Sequence, residues 1–313
     1  MPKPGSGLMR PAVDSRGRLW FGEMSHNFLT MFDPGTQTFE QITPPHGAYS
    51  VMGVVVATDD TVWFAEQDAN YIGRYFPDIK RFQTYNLPTL SMPDPGNTKN
   101  RLSLPSAPND LAFDGQGNIW FTEMNADALA MLNVHTGSIK QYPLSNQRKV
   151  QTLAPYGVTV DHQGMIWFTE STTSNVGRLD PTTGSIHLFT MQGPSDSLME
   201  ITSDAHGIVW ATSFNENRLI KLDPKTGVFT SYNAPSTGQG TNGLYGLLIT
   251  SSNEVWVTVP AENAIAHLDK STNHFTYYHI PTAGSFPLGV VMSKDHTLWF
   301  TEAGGNKIGM LKL

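Results

Sequence analysis

Three charged residues break an internal repeat at one matching position: Arg10, Asp110 and Glu200 stand where four other copies carry Gly53, Gly157, Gly246 and Gly289. Scaffold demands act on every copy alike and yield repeated residues. A single ligand contacts the copies unequally, so residues that differ at matching positions mark where it would sit. Asp110 and Glu200 can share a hard cation, Mg2+ or Ca2+. Alternatively, one carboxylate can act as a base while Arg10 stabilises a developing anion, or Arg10 can simply pair with an acid. A second set is the glutamates Glu23, Glu66, Glu123, Glu170 and Glu302, which end the same segment in five copies, with Ser213 and Val259 in the other two. Carboxylates that converge recruit a cation or bind protons, which makes Glu23 and Glu66 further metal candidates. A residue repeated copy after copy also reads as one that satisfies the same local donors in each.

His46, in Pro45-His46-Gly47, is the candidate base at neutral pH, with His26 and Glu66 near it in the pattern. A lone loop histidine is otherwise a solvated side chain. Met52, Asn109, Tyr156, Met199 and Tyr245, with Met9, fall on the face of the three charged residues and are expected to line a pocket for an organic ligand.

The elements that position these groups follow from the tryptophans. Trp20, Trp63, Trp120, Trp167, Trp210, Trp256 and Trp299 are separated by 43, 57, 47, 43, 46 and 43 residues, the length of a four-stranded blade. Seven copies predict an all-β, seven-bladed propeller forming one domain over residues 1–313. Around Trp167 the unit reads as inner strand A (Tyr156 to Asp161), strand B (Ile166 to Glu170), strand C (Asn175 to Asp180) and outer strand D (Ser185 to Thr190). In this up-and-down order the start of A, the end of B, the B to C loop and the D to A loop share one face, the top. Most of the ten histidines then fall on the bottom or on outer strands, and only His26 and His46 face the top. The excess length between blades 2 and 3 lies in Pro88 to Ala107, rich in Pro, Ser and Asn, and is expected to be one long top loop.

From Trp299 through the end and on from Met1 to Trp20 there are 34 residues where 43 recurs, so the last blade lacks about one strand. Alignment of the repeats assigns Lys307 to Leu313 to strand C, and the missing strand is the outer one. The expectation is that a strand upstream of Met1 closes the ring, with an export signal before it and a secreted or cell-envelope location; a three-stranded last blade and a cytoplasmic location are the alternatives.

Only 15% of residues are charged and the net charge is -7, which argues against a phosphate-neutralising surface and so against nucleic acid as a partner. The absence of cysteine excludes disulfides, thiolate metal sites and thiol nucleophiles. No apolar run approaches the ~18 residues that would predict a membrane span.

The recurring Trp-Phe-Thr-Glu followed by Asn-x-Ile-Gly-Arg-Leu, seen from Trp167 to Leu179 and again from Trp299 to Leu311, resembles the virginiamycin B lyase (streptogramin lyase) family over the whole chain. The resemblance implies a seven-bladed propeller. It also implies a metal-assisted lyase that opens a cyclic depsipeptide by C–O elimination with magnesium, or a lactone-opening relative acting at the top of the channel. The family's catalytic histidine lies in a Pro-His-Gly motif at the start of an inner strand. The matching positions here are Met9, Met52, Asn109, Tyr156, Met199, Tyr245 and Leu288, and none is histidine. The alternative is a noncatalytic propeller that binds a small-molecule or peptide-like ligand, or a protein, on its top face.

Overall fold

Apolar and polar residues alternate over four to six positions in each unit, and aspartate-led turns close the hairpins. Such a pattern buries one set of side chains per strand and commits the unit to an antiparallel sheet. The computed structural model describes residues 3–47, 50–94, 97–144, 153–193, 196–235 and 243–313, with backbone alone for 91–102. Blade 4 runs Pro155–Val160, Ile166–Glu170, Asn175–Leu179 and Ile186–Thr190, each strand paired to the next. Blades 1 to 6 have four strands each, and blade 7 has three: Pro287–Met292, Thr297–Glu302 and Lys307–Lys312. The one helical turn among the described residues is a 3-10 turn at Pro260–Glu262.

One aspartate organises each bottom turn of the common type. Asp161 Oδ1 accepts the amides of Gln163 and Met165 at 2.8 and 3.0 Å, and Oδ2 accepts the Trp167 indole N–H at 2.7 Å. The turn is thereby built and the tryptophan oriented by the same side chain. Trp167 then stacks on Phe189 of its own outer strand, with ring centroids 5.6 Å apart, and packs against Ile201, Val209 and Leu222 of blade 5. The core is thus a series of layers between adjacent blades. Burying one indole in such a layer stabilises by about 4–6 kcal/mol.

Two features refine the expected picture. Trp299 is less buried than the other six tryptophans, because blade 7 has no outer strand to bring an aromatic ring over it; its ring partner is Phe32 of blade 1, at 6.0 Å. The stretch from Pro88 to Ala107 is not an irregular loop. Leu90–Asp94 and Asn97–Leu104 pair as an antiparallel hairpin, in a register that sets Leu104 against Leu90 and Leu102 against Met92. The period-two spacing of these apolar residues outweighs the loop-like composition.

Candidate functional site at the channel centre

The inner strands of six blades carry one extra residue at the top. In blade 3, Pro108 faces Glu123 and Leu111 faces Phe121, so Asn109 and Asp110 together stand opposite Thr122. The same shift recurs in blades 2, 4, 5 and 7. In blade 1, Leu8 faces Glu23 while Ala12 faces Trp20. Such a bulge unpairs a residue and re-aims side chains, and here it delivers two residues per blade to the channel.

The threonine of Trp-Phe-Thr-Glu holds the bulges together. In blade 3 the Asp110 amide donates to Thr122 Oγ1 at 3.1 Å, and that hydroxyl donates to the Tyr156 carbonyl of blade 4 at 2.8 Å. Thr169, Thr212 and Thr258 repeat both bonds, to the carbonyls of Met199, Tyr245 and Leu288. This relay brings neighbouring bulges so close that the second bulge position often tolerates no side chain. A Cβ on Gly289 would lie 2.4 Å from Arg10 Cα, and one on Gly53 would lie 2.7 Å from the Asn109 carbonyl oxygen. Glycine in blades 2, 4, 6 and 7 leaves space for the three long side chains of blades 1, 3 and 5.

Those three side chains meet on the axis. Arg10 Nη1 lies 3.0 Å from Asp110 Oδ1 and donates to Oδ2 at 3.1 Å, while Nη2 pairs with Glu200 Oε2. Asp110 also accepts the Leu111 amide at 2.8 Å and the blade 4 Val158 amide at 2.9 Å, so its oxygens tie together blades 1, 3 and 4. Burial pushes the Glu200 carboxyl up to about 7, against the opposing pull of Arg10 and with Asp110 adding to the rise. Burial also disfavours the Arg10 charge, but the two acids outweigh it and hold the guanidinium charged. Beside Glu200 the hydroxyls of Tyr156 and Tyr245 hydrogen-bond to each other, and burial raises the Tyr156 phenol to about 12. The cavity among these residues is about 10 Å³, enclosed by Met9, Met52 and Asn109 as well as by the charged and tyrosine side chains.

The expected site residues therefore divide. Arg10, Asp110, Glu200, Asn109, Tyr156, Tyr245 and Met52 converge on the axis; Met199 packs among the same apolar residues, and its carbonyl takes the Thr169 hydroxyl. Glu23 and Glu66 do not face the channel mouth. Strand B is one strand removed from the axis, and its glutamates are buried within their own blades. Glu23 accepts Thr30 Oγ1 at 2.5 Å and Gln41 Nε2 at 2.7 Å, and Glu170 accepts Thr173 and Asn175 at 2.6 and 2.8 Å. Glu66 is buried with neither oxygen hydrogen-bonded among the described residues, and burial, with Asp68 adding, pushes its carboxyl up to about 8. His46 lies in the exposed loop with its ring 5.1 Å from Tyr71, and His26 meets Ser6 Oγ at 3.2 Å. No histidine lines the central cavity. The relay threonines had a signal in the sequence, their recurrence two residues after the tryptophan in five blades, but nothing in it told a relay from a surface threonine.

As to a metal, the guanidinium of Arg10 stands between Asp110 and Glu200, where a shared cation would have to bind. Among the described residues no group of three or more His, Asp or Glu side chains is arranged to hold an ion. The donor set as it stands fits an ion pair and does not fit Mg2+ or Ca2+. No helix among the described residues is long and apolar enough to cross a membrane.

Fold and site together define a seven-bladed β-propeller whose axis is filled by an acid–guanidinium centre. The chain belongs to the virginiamycin B lyase family, whose model matches residues 147–313. Among solved structures, a streptogramin B lyase is 25% identical with a TM-score of 0.83, over 99% of this chain and 94% of its own. Virginiamycin B lyase from Staphylococcus aureus is 24% identical with a TM-score of 0.84, over 100% and 97%, and a catalytically inactive variant of it with quinupristin gives the same values. The extracellular domain of a hybrid two-component system from B. thetaiotaomicron shares the fold at a TM-score of 0.73 and 16% identity, over 97% of this chain and 40% of that one. A comparison with curated proteins gives no match.

Proposed function

We propose that this propeller is a ligand-binding member of its family, which receives a small organic or peptide-like molecule on its top mouth. The molecule rests on Met9, Met52, Asn109, Tyr156, Met199 and Tyr245, over a centre closed by Arg10. The supporting observation is that both candidate carboxylates are ion-paired to Arg10 around a cavity of about 10 Å³. That volume holds about one water, so recognition belongs to the rim and not to the channel interior. A secreted or cell-envelope location is part of this proposal and is tested by cell fractionation.

A second reading is favoured by the placement of Glu200, buried on the axis beside Arg10 with its carboxyl pushed up by that burial. A carboxylate near neutrality suits a general base, and Arg10 beside it could stabilise the anion formed when a cyclic ester opens. In this reading a divalent ion would require Arg10 to swing out of the pair. Incubation with quinupristin, with and without Mg2+, separates the two: the first expects saturable binding with the ring intact, unchanged by chelation. Chromatographic ring opening that is lost in E200Q would overturn it in favour of the lyase or lactone-opening reading.

A further inference from the structure

Every blade sends a tryptophan indole N–H towards its bottom turn, and six of the seven find an acceptor. Trp20, Trp120, Trp167 and Trp210 donate to Asp14, Asp114, Asp161 and Asp204, while Trp63 donates to Thr61 and Trp299 to Ser293. Trp256 donates to nothing among the described residues, although it is only 4% exposed. The aspartate found six residues ahead of the tryptophan in those four blades is Thr250 in blade 6. The Thr250 hydroxyl is already engaged, by the Glu254 amide at 3.0 Å and by Ser252 Oγ at 2.8 Å.

Trp256 lines a groove of about 960 Å³ on the bottom face between blades 6 and 7. The matching groove between blades 3 and 4, about 800 Å³, is bordered by two turn aspartates, Asp114 and Asp161. In the blade 6–7 groove both positions have lost the charge, becoming Thr250 and Ser293. The one acidic side chain lining it, Glu254, is the ion-pair partner of His267; Lys294 and His296 stand exposed at the rim on either side of Asp295, whose carboxylate is held by the Ser293 hydroxyl at 2.5 Å. The walls are apolar, from Leu248, Tyr278, Met292 and Leu313. A buried donor without an acceptor is rare in a native fold, and here it coincides with the loss of the carboxylate that serves it elsewhere.

We infer that this groove binds an organic carboxylate with an apolar body. One carboxylate oxygen accepts the Trp256 indole N–H, in the place an aspartate oxygen holds in four other blades. Lys294 and His296 balance its charge, and the apolar body lies on Tyr278, Met292 and Leu248. This site is separate from the channel mouth and does not rest on the function proposed there.

Protein labelled with 15N-indole tryptophan tests this, with the Trp256 resonance assigned by its loss in W256F. Titration with 3-phenylpropionate should move the Trp256 signal saturably, and 3-phenylpropionamide should bind about 10-fold more weakly, as expected when a charge-assisted hydrogen bond becomes neutral. In T250D, which restores the aspartate of the other blades, the titration should disappear and the indole signal should move without ligand. If T250D does not fold, K294A on the exposed rim must weaken binding several-fold. A Trp256 signal that does not saturate, equal binding of the amide, or a folded T250D or K294A that binds like the parent would overturn the assignment.

Discussion

Two rings of polar residues encircle the top of this propeller, and they solve opposite problems. The glutamates at the ends of the B strands recur, and each is buried inside its own blade; Glu23 and Glu170 are bonded to threonine and amide side chains there. The residues of the inner-strand bulges vary from blade to blade, and three of them cross the axis to form one charged centre. The repeated ring serves the sheets, and the broken ring joins blades 1, 3 and 5. Distance from the axis makes the difference, since only the innermost strand borders the channel. Among the described residues, Glu66 has neither carboxylate oxygen hydrogen-bonded.

The largest expected effect that tests this contrast comes from removing the guanidinium. R10M leaves Asp110 and Glu200 buried side by side without a counter-charge, and should cost about 3–5 kcal/mol in urea unfolding at pH 7.5. The triple variant R10M/D110N/E200Q should recover most of that loss. A loss under about 1 kcal/mol in R10M would mean that the axis is not held by ion pairing.

A smaller effect of opposite sign is expected in the glutamate ring. The folded Glu66 carboxyl is raised from 4.5 to about 8, so its contribution to stability is complete below about 4.5 and is lost as pH rises to about 8. E66Q has no such loss and should exceed the parent by about 2–4 kcal/mol at pH 9, with little difference at pH 4. Unfolding free energies at the two pH values check this, and equal pH slopes for parent and variant would show that Glu66 is ionised in the fold.

The threonine relay comes next. T169V removes the acceptor for the Gly157 amide and the donor for the Met199 carbonyl, and should cost about 1–3 kcal/mol by denaturant titration. T173V, which removes one of two hydrogen bonds to Glu170 and the long 3.2 Å contact of the Asn175 amide in a part-buried turn, should cost less. The smallest effect belongs to His46: exposed and apart from the channel, H46A should alter stability by no more than about 0.5 kcal/mol and leave ligand binding at the mouth unchanged in calorimetry.

Much of this was legible without coordinates, because repetition carries information that a single unit does not. Seven tryptophans at blade spacing determined the number of blades, the strand order and the incomplete seventh blade, since each indole must fill the same gap between sheets. The departures from glycine at Arg10, Asp110 and Glu200 determined which residues meet on the axis. Local patterns, however, do not say how far a strand lies from that axis or where one extra residue shifts its register. Tertiary structure alone decided that Arg10 would pair with both acids and that the strand B glutamates would face inward to their own blades. Each of these depends on the approach of chain segments distant in sequence, where hydrogen bonds and charges are satisfied or left unsatisfied by partners that no local pattern names.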